Sequence, residues 1–70
     1  MTESQIGEYQ ELININLNKI KKQVNQIEPR GGNSERFAII TQLLNDIAKT
    51  ITIMDLEEYK EELKKEKKNK

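Results

Sequence analysis

The chain has no cysteine, no histidine and no tryptophan among its 70 residues. Without Cys and His it has no disulfide, no thiol chemistry, no zinc site built on those ligands, no His-ligated haem and no His-dependent catalysis. The remaining nucleophiles are hydroxyl groups with no imidazole to activate them, and acidic pairs such as Glu57 and Glu61 are typical of solvated helix faces. We therefore predict a protein that is not an enzyme and that uses no cofactor and no metal.

Long apolar runs and an excess of one charge are also missing. The longest unbroken apolar run is Phe37-Ala38-Ile39-Ile40, and the polar N-terminal residues have no apolar segment typical of a signal peptide. The chain has 12 basic and 12 acidic residues, so its formal net charge is zero. These features predict a soluble cytoplasmic protein that does not bind membranes and is not attracted to nucleic acid by its overall charge.

Residues that break helices are concentrated in one short segment. Pro29 lacks a backbone donor and disfavours helical geometry at Glu28, while Gly31 and Gly32 allow a chain reversal. Asn33 or Ser34 would accept hydrogen bonds from the first free N–H groups of a new helix. The sequence therefore predicts a turn over residues 29–33.

Apolar residues recur at steps of three and four on both sides of this turn, which indicates two amphipathic helices. The fold class predicted is all-α: an antiparallel hairpin with helices over about 3–28 and 34–67. Thr2 and Gln5 fit a capping box at the start, and Asp55 marks a point where the second helix could kink or restart. The stripes are Ile6, Ile13, Leu17, Ile20, Val24 and Ile27 in the first helix, and Phe37, Ile40, Leu44, Ile47, Ile51 and Met54 in the second.

The two stripes also match in register when the chain folds back at the turn. Ile27 then faces Phe37, and the pairing continues at constant spacing until Ile13 faces Ile51 and Gln10 faces Met54. This match predicts five apolar layers between the two helices.

Apolar residues left off these stripes predict a further association. Two helices bury only one stripe against each other, which is little for a chain with no disulfide and no metal. We expect one domain over residues 1–70 that dimerises into a four-helix bundle, with a Lys-rich tail at 64–70 that frays. The candidate dimer interface comprises Leu12, Ile15, Ile39 and Leu43.

A second candidate surface follows the later half of the second helix. Leucines, an aromatic ring and a lysine stem at helical spacing are typical of a helix that docks into a groove of another protein. The residues of this candidate protein-binding site are Ile53, Leu56, Tyr59, Lys60 and Leu63. The same face could instead pack within the homodimer.

Lysines on outer helix faces provide the alternative of nucleic-acid binding. The plasmid copy-control protein Rop, a dimer of helical hairpins, binds RNA through such lysines, and the similarity here is one of architecture without a shared motif. Tyr59 is the only aromatic residue near either lysine group, so base stacking has little support. The candidate residues are Lys19, Lys22, Lys64, Lys65, Lys67 and Lys68.

The functional class predicted is a small helical interaction protein that acts as a regulator, adaptor or inhibitor of a larger protein assembly. Its abundance of Ile, Lys and Asn is typical of AT-rich genomes, such as those of low-GC bacteria and their phages. A structural oligomerisation module or assembly chaperone is a third interpretation.

Overall fold

The computed structural model describes the backbone of residues 1–68 and the side chains of residues 1–65. The described chain is an all-α hairpin in which α1 (Glu3–Asn25) and α2 (Ser34–Lys68) pack against each other. The N-terminal amino group of Met1 forms an ion pair with the carboxylate of Glu61, so the beginning of the chain lies beside the later part of α2. The predicted helical hairpin is confirmed.

The capping box at the start of α1 is confirmed in detail. The backbone N–H of Gln5 donates to Oγ1 of Thr2 at 3.1 Å, and the backbone N–H of Thr2 donates to Oε1 of Gln5 at 2.9 Å. This reciprocal pair satisfies two backbone donors that the first helical turn would otherwise leave free.

The predicted end of the first helix at residue 28 is wrong, because α1 ends at Asn25. Past that point the backbone tightens: Gln26 N–H donates to the carbonyl of Gln23 at 3.1 Å, and Ile27 N–H donates to that of Val24 at 3.2 Å. These bonds span three residues, as in a 3₁₀ turn. Pro29 disfavours helical geometry in the residue before it, which stops the helix before Glu28.

The predicted reversal is stabilised by Asn33. Gly31 N–H donates to the carbonyl of Glu28 at 3.2 Å, and both Gly31 (φ +98°) and Gly32 (φ +76°) adopt the left-handed conformation that favours glycine. The side chain of Asn33 turns back to the backbone of Glu28 and does not cap α2. The backbone carbonyl of Asn33 accepts from Phe37 N–H at 2.9 Å, and this is the first hydrogen bond of α2.

The second helix is continuous through Asp55 over its 35 residues, with no kink or restart. At 1.5 Å per residue it is about 52 Å long, against about 35 Å for α1. Because Met1 lies beside Glu61, only the last two turns of α2 extend beyond the start of α1.

Two rows of residues on each helix lie between α1 and α2, and we call them the inner rows. In each helix the first row is mainly apolar and the second row, three positions later, is mainly polar. The first rows are Ile6, Ile13 and Ile20 in α1, and Ile40, Ile47 and Met54 in α2, with Asn33 just before α2 continuing the row of that helix. The second rows are Tyr9, Asn16 and Gln23 in α1, and Arg36, Leu43, Thr50 and Glu57 in α2.

None of the five predicted apolar layers forms as predicted within the hairpin, because each contains at least one residue that lies outside the inner rows. These residues are 39–52% exposed, because the mainly polar second row takes the other position in the seam on each helix. These exposed residues are Leu17, Val24, Ile27, Phe37, Leu44 and Ile51.

The hairpin is thin and has almost no enclosed core. Among the described residues only Ile47, at 9% exposure, and Asn33, at 7%, count as buried. The radius of gyration is 17.4 Å, whereas a compact domain of this length has a value of about 11 Å. Stable domains are built from at least two packed layers of secondary structure, and this hairpin supplies one.

Candidate interaction surfaces

One side of the hairpin carries five exposed apolar residues, and we call it the open face. On each helix these residues lie four positions after a residue of the first inner row, as Leu17 follows Ile13 and Leu44 follows Ile40. Because α1 and α2 run in opposite directions, the same rotation from the seam brings both sets to one side of the pair. The open face consists of Leu17, Val24, Phe37, Leu44 and Ile51, which are 47–52% exposed.

The opposite side of the hairpin holds most of the predicted dimer interface but alternates apolar and charged residues. Leu12 (51% exposed) is followed seven residues later by Lys19, and Ile39 (40% exposed) is followed by Asp46. Ile15 is 43% exposed and lies further round α1, whereas Leu43 is half-buried against α1 in the second inner row. The four predicted interface residues thus do not form one continuous apolar patch.

The predicted protein-binding residues form a stripe along the outward side of α2, which we call the distal stripe. Ile53, Leu56, Lys60 and Leu63 follow each other at steps of three and four, and Tyr59 lies at the edge. The apolar members are 40–53% exposed, and Tyr59 is 58% exposed. Since the stripe points away from α1, no described part of the chain covers it.

The lysines proposed for nucleic-acid binding lie at opposite ends of the hairpin. Lys19 and Lys22 are on the part of α1 near the turn, whereas Lys64 and Lys65 are at the other end of α2. The two groups are more than about 30 Å apart along the helix axes. Lys67 and Lys68 belong to α2, but their side chains lie outside the described residues.

A shallow open depression also runs along α2, lined by residues of that helix alone. Four of its six lining residues are polar or charged, and no second element encloses it. One contact there links the side-chain amide of Gln42 to the carboxylate of Asp46 at 3.1 Å. We regard it as part of the exposed surface of α2, where apolar groups lie among polar side chains. Its residues are Gln42, Asn45, Ala48, Lys49, Thr52 and Ile53.

Within the described residues, α2 is long and apolar enough by length and composition to cross a membrane. An 18-residue window within Ser34–Lys65 reaches a mean hydropathy of 1.2. Three polar residues of this segment, Gln42, Asn45 and Lys49, lie on the side that faces away from α1. A span would place this polar side in lipid, whereas an amphipathic helix of a bundle keeps it in water.

Residues 1–65 do not assemble three or more acidic side chains in an arrangement suited to a metal ion. Among the described residues that are not exposed, the Nε of Arg36 is the one buried side-chain nitrogen or oxygen that has no hydrogen-bond partner. The polar second row was not predicted, because periodicity identifies a helix face from its apolar residues only. No family model, curated protein or solved structure matches this chain.

Proposed function

We propose that this protein is a non-enzymatic helical interaction module that acts as a homodimer and binds a larger protein through the distal stripe. The observation that supports it is the balance of exposure: 13 large hydrophobic side chains of the described residues are at least 39% exposed, and only Ile47 is buried. Exposed apolar surface of this extent is typical of sites of protein association.

The distal stripe suits a partner with a hydrophobic groove. Ile53, Leu56 and Leu63 provide apolar anchors along about three turns of one rigid helix, and the Lys60 stem lies between them. The stripe lies on the side of α2 away from the open face, so one surface remains accessible when the other is covered. This separation supports an adaptor, regulator or inhibitor that binds its partner as an assembled dimer.

The test is affinity capture from a nuclease-treated lysate with three forms of the protein. The first is the wild type, and the second carries Leu56→Glu with Leu63→Glu. The matched control carries Gln42→Glu with Asn45→Glu, which adds the same charge at exposed polar positions of α2. We expect wild type and control to retain the same protein, and the leucine variant to bind that protein, once purified, roughly 100-fold more weakly or worse.

Sedimentation of the same three proteins separates the two roles of the distal stripe. We expect the leucine variant to keep its helicity and its dimeric state. Loss of the dimer in that variant would show that the stripe belongs to the bundle core. Retention of nucleic acid that disappears after nuclease treatment would favour the lysine alternative, and higher-order association without a foreign ligand would favour an assembly module.

A further inference from the structure

We infer that a second copy of this chain covers the open face, packed so that the two turns lie at opposite ends. In this arrangement α1 packs on α1 of the second copy, and α2 packs on α2 of the second copy. Near the twofold axis, Leu17 contacts Leu17 of the second copy and Leu44 contacts Leu44 of the second copy. The inference rests on the homodimer of the proposed function and assigns its interface and orientation.

The exposed area of the hairpin supports a second copy as the occupant. A compact monomer of 8.2 kDa exposes about 4,500 Å², whereas this chain exposes 6024 Å². The excess is about 1,500 Å². Obligate homodimers bury about 1,000–2,500 Å² on each subunit, so covering this excess suffices for a stable dimer.

The apolar residues of the open face occupy positions that point into the core of a four-helix bundle. The first inner row and the open face together form a seven-residue repeat with apolar residues at two positions, interrupted only by Gln10 in the register of α1 and by Asn33 just before α2. In the hairpin one of these positions lies between the helices and the other lies in solvent. In a four-helix bundle both positions point to a common core, so the second hairpin completes the burial that the first cannot achieve.

Two arrangements with twofold symmetry bring the open faces of two hairpins together, and they differ in which charged residues meet. With the turns at opposite ends, Phe37 lies on Ile51 of the second copy, and Arg30 in the turn comes level with Glu58 of the second copy. With the turns at the same end, α2 lies on α1 of the second copy, and Glu58 meets Glu3 there. The twofold axis repeats each contact, so the first arrangement gains two opposite-charge pairs and the second gains two like-charge pairs.

Single-cysteine crosslinking tests this interface cleanly, because the natural chain has no cysteine. The axes of packed helices are 8–10 Å apart, so facing thiols lie within reach of a short bismaleimide, which is the reagent. We expect Leu44→Cys alone and Leu17→Cys alone each to give a covalent dimer. At micromolar protein the second thiol should react about 100-fold faster than in a random encounter, because its effective concentration in the dimer is millimolar.

Ile39→Cys is the matched control, since Ile39 is 40% exposed on the same helix but on the opposite side of the hairpin. Efficient crosslinking through Ile39 and not Leu44 would overturn the assigned face. Crosslinks that form only when Leu17→Cys and Leu44→Cys proteins are mixed would overturn the orientation and place the turns at the same end. The two cysteines are on different helices, so a folding defect in one variant leaves the other as the readout.

Sedimentation and lipid binding complete the test. A fully helical monomer at about 10 μM would overturn the second copy as occupant, whatever partner the distal stripe binds. If that monomer also associates with vesicles of phosphatidylcholine and phosphatidylglycerol, the open face is a lipid-binding surface. Conversely, a dimer with the expected crosslinks but no captured partner would support this interface and count against the proposed adaptor role.

Discussion

The side-chain amide of Asn33 pairs with both backbone groups of Glu28. Glu28 N–H donates to Oδ1 of Asn33 at 2.8 Å, and Nδ2 of Asn33 donates to the carbonyl of Glu28 at 2.7 Å. The same carbonyl also accepts from Gly31 N–H at 3.2 Å. The most buried side chain of the described residues is therefore a polar one that joins the two ends of the turn.

This pairing predicts that Asn33→Ala destabilises the protein. The substitution removes two hydrogen bonds and leaves the N–H of Glu28 unpaired, while the carbonyl of Glu28 keeps its bond from Gly31; the cost is about 1–3 kcal/mol. Asn33→Asp should also destabilise, because it replaces a donor with a negative oxygen beside the carbonyl of Glu28. Urea unfolding at one fixed protein concentration measures both effects. Asn18→Ala, at an exposed position in α1, is the control and should stabilise the protein by up to about 0.7 kcal/mol, through helix propensity alone.

The same substitution, glycine to alanine, should have opposite effects at two positions. Gly7 lies in α1, and nothing beyond the helix's own backbone comes within 4 Å of the place an alanine Cβ would take, so Gly7→Ala should stabilise by about 0.5–1 kcal/mol. Gly32 has equally open surroundings but a φ of +76°, so Gly32→Ala should destabilise by about 1–2 kcal/mol. Thermal unfolding of both variants checks the pair. Effects of the same sign would contradict the left-handed geometry of the turn.

The sequence was sufficient to predict both helices, the capping box and the turn, because each depends on local chemistry. Thr2 and Gln5 satisfy donors three residues apart, and Pro29 with Gly31 and Gly32 acts within the turn itself. The early end of α1 at Asn25 was missed because the apolar spacing continues to Ile27 after the helix has become a tighter turn.

The surfaces were harder to predict, because the same seven-residue repeat occurs in a two-helix hairpin and in a four-helix bundle. The apolar stripes were identified correctly, but Leu17 and Leu44 were assigned to the two-helix seam, whereas the second row of that seam is mainly polar. The other contacts of that seam come from polar residues such as Asn16 and Gln23, which an apolar pattern does not reveal. The distal stripe could be predicted because the spacing of its residues along α2 is enough to place them on one side of that helix.

A dimer predicts that thermal stability depends on protein concentration. Each tenfold dilution changes the free energy of association by about 1.4 kcal/mol, which lowers Tm by about 5 °C for two chains of this size. Circular dichroism between about 1 and 100 μM measures the shift. Leu44→Lys should abolish the concentration dependence and reduce helicity, whereas Ile39→Lys on the opposite side should leave both unchanged. A Tm that stays constant for the wild type would contradict the dimer.

The sign of a charge substitution reports the orientation of the dimer. With the turns at opposite ends, Glu58→Arg places a positive charge level with Arg30 of the second copy, twice per dimer. We expect association to weaken by roughly threefold to thirtyfold at low salt. Arg30→Glu alone should have a similar effect, and the two substitutions together should restore the wild-type affinity.

With the turns at the same end, Glu58→Arg would instead relieve its repulsion with Glu3 and strengthen the dimer. Sedimentation equilibrium distinguishes the two orientations by the direction of the change in Kd. Lys49→Glu, on the outward side of α2, changes the net charge by the same amount as Arg30→Glu and should not alter Kd. Because the charges are exposed, the effect of Glu58→Arg should largely disappear at 1 M salt, where the Debye length is about 3 Å. An effect that persists there would point to altered packing, since screening removes only the electrostatic part.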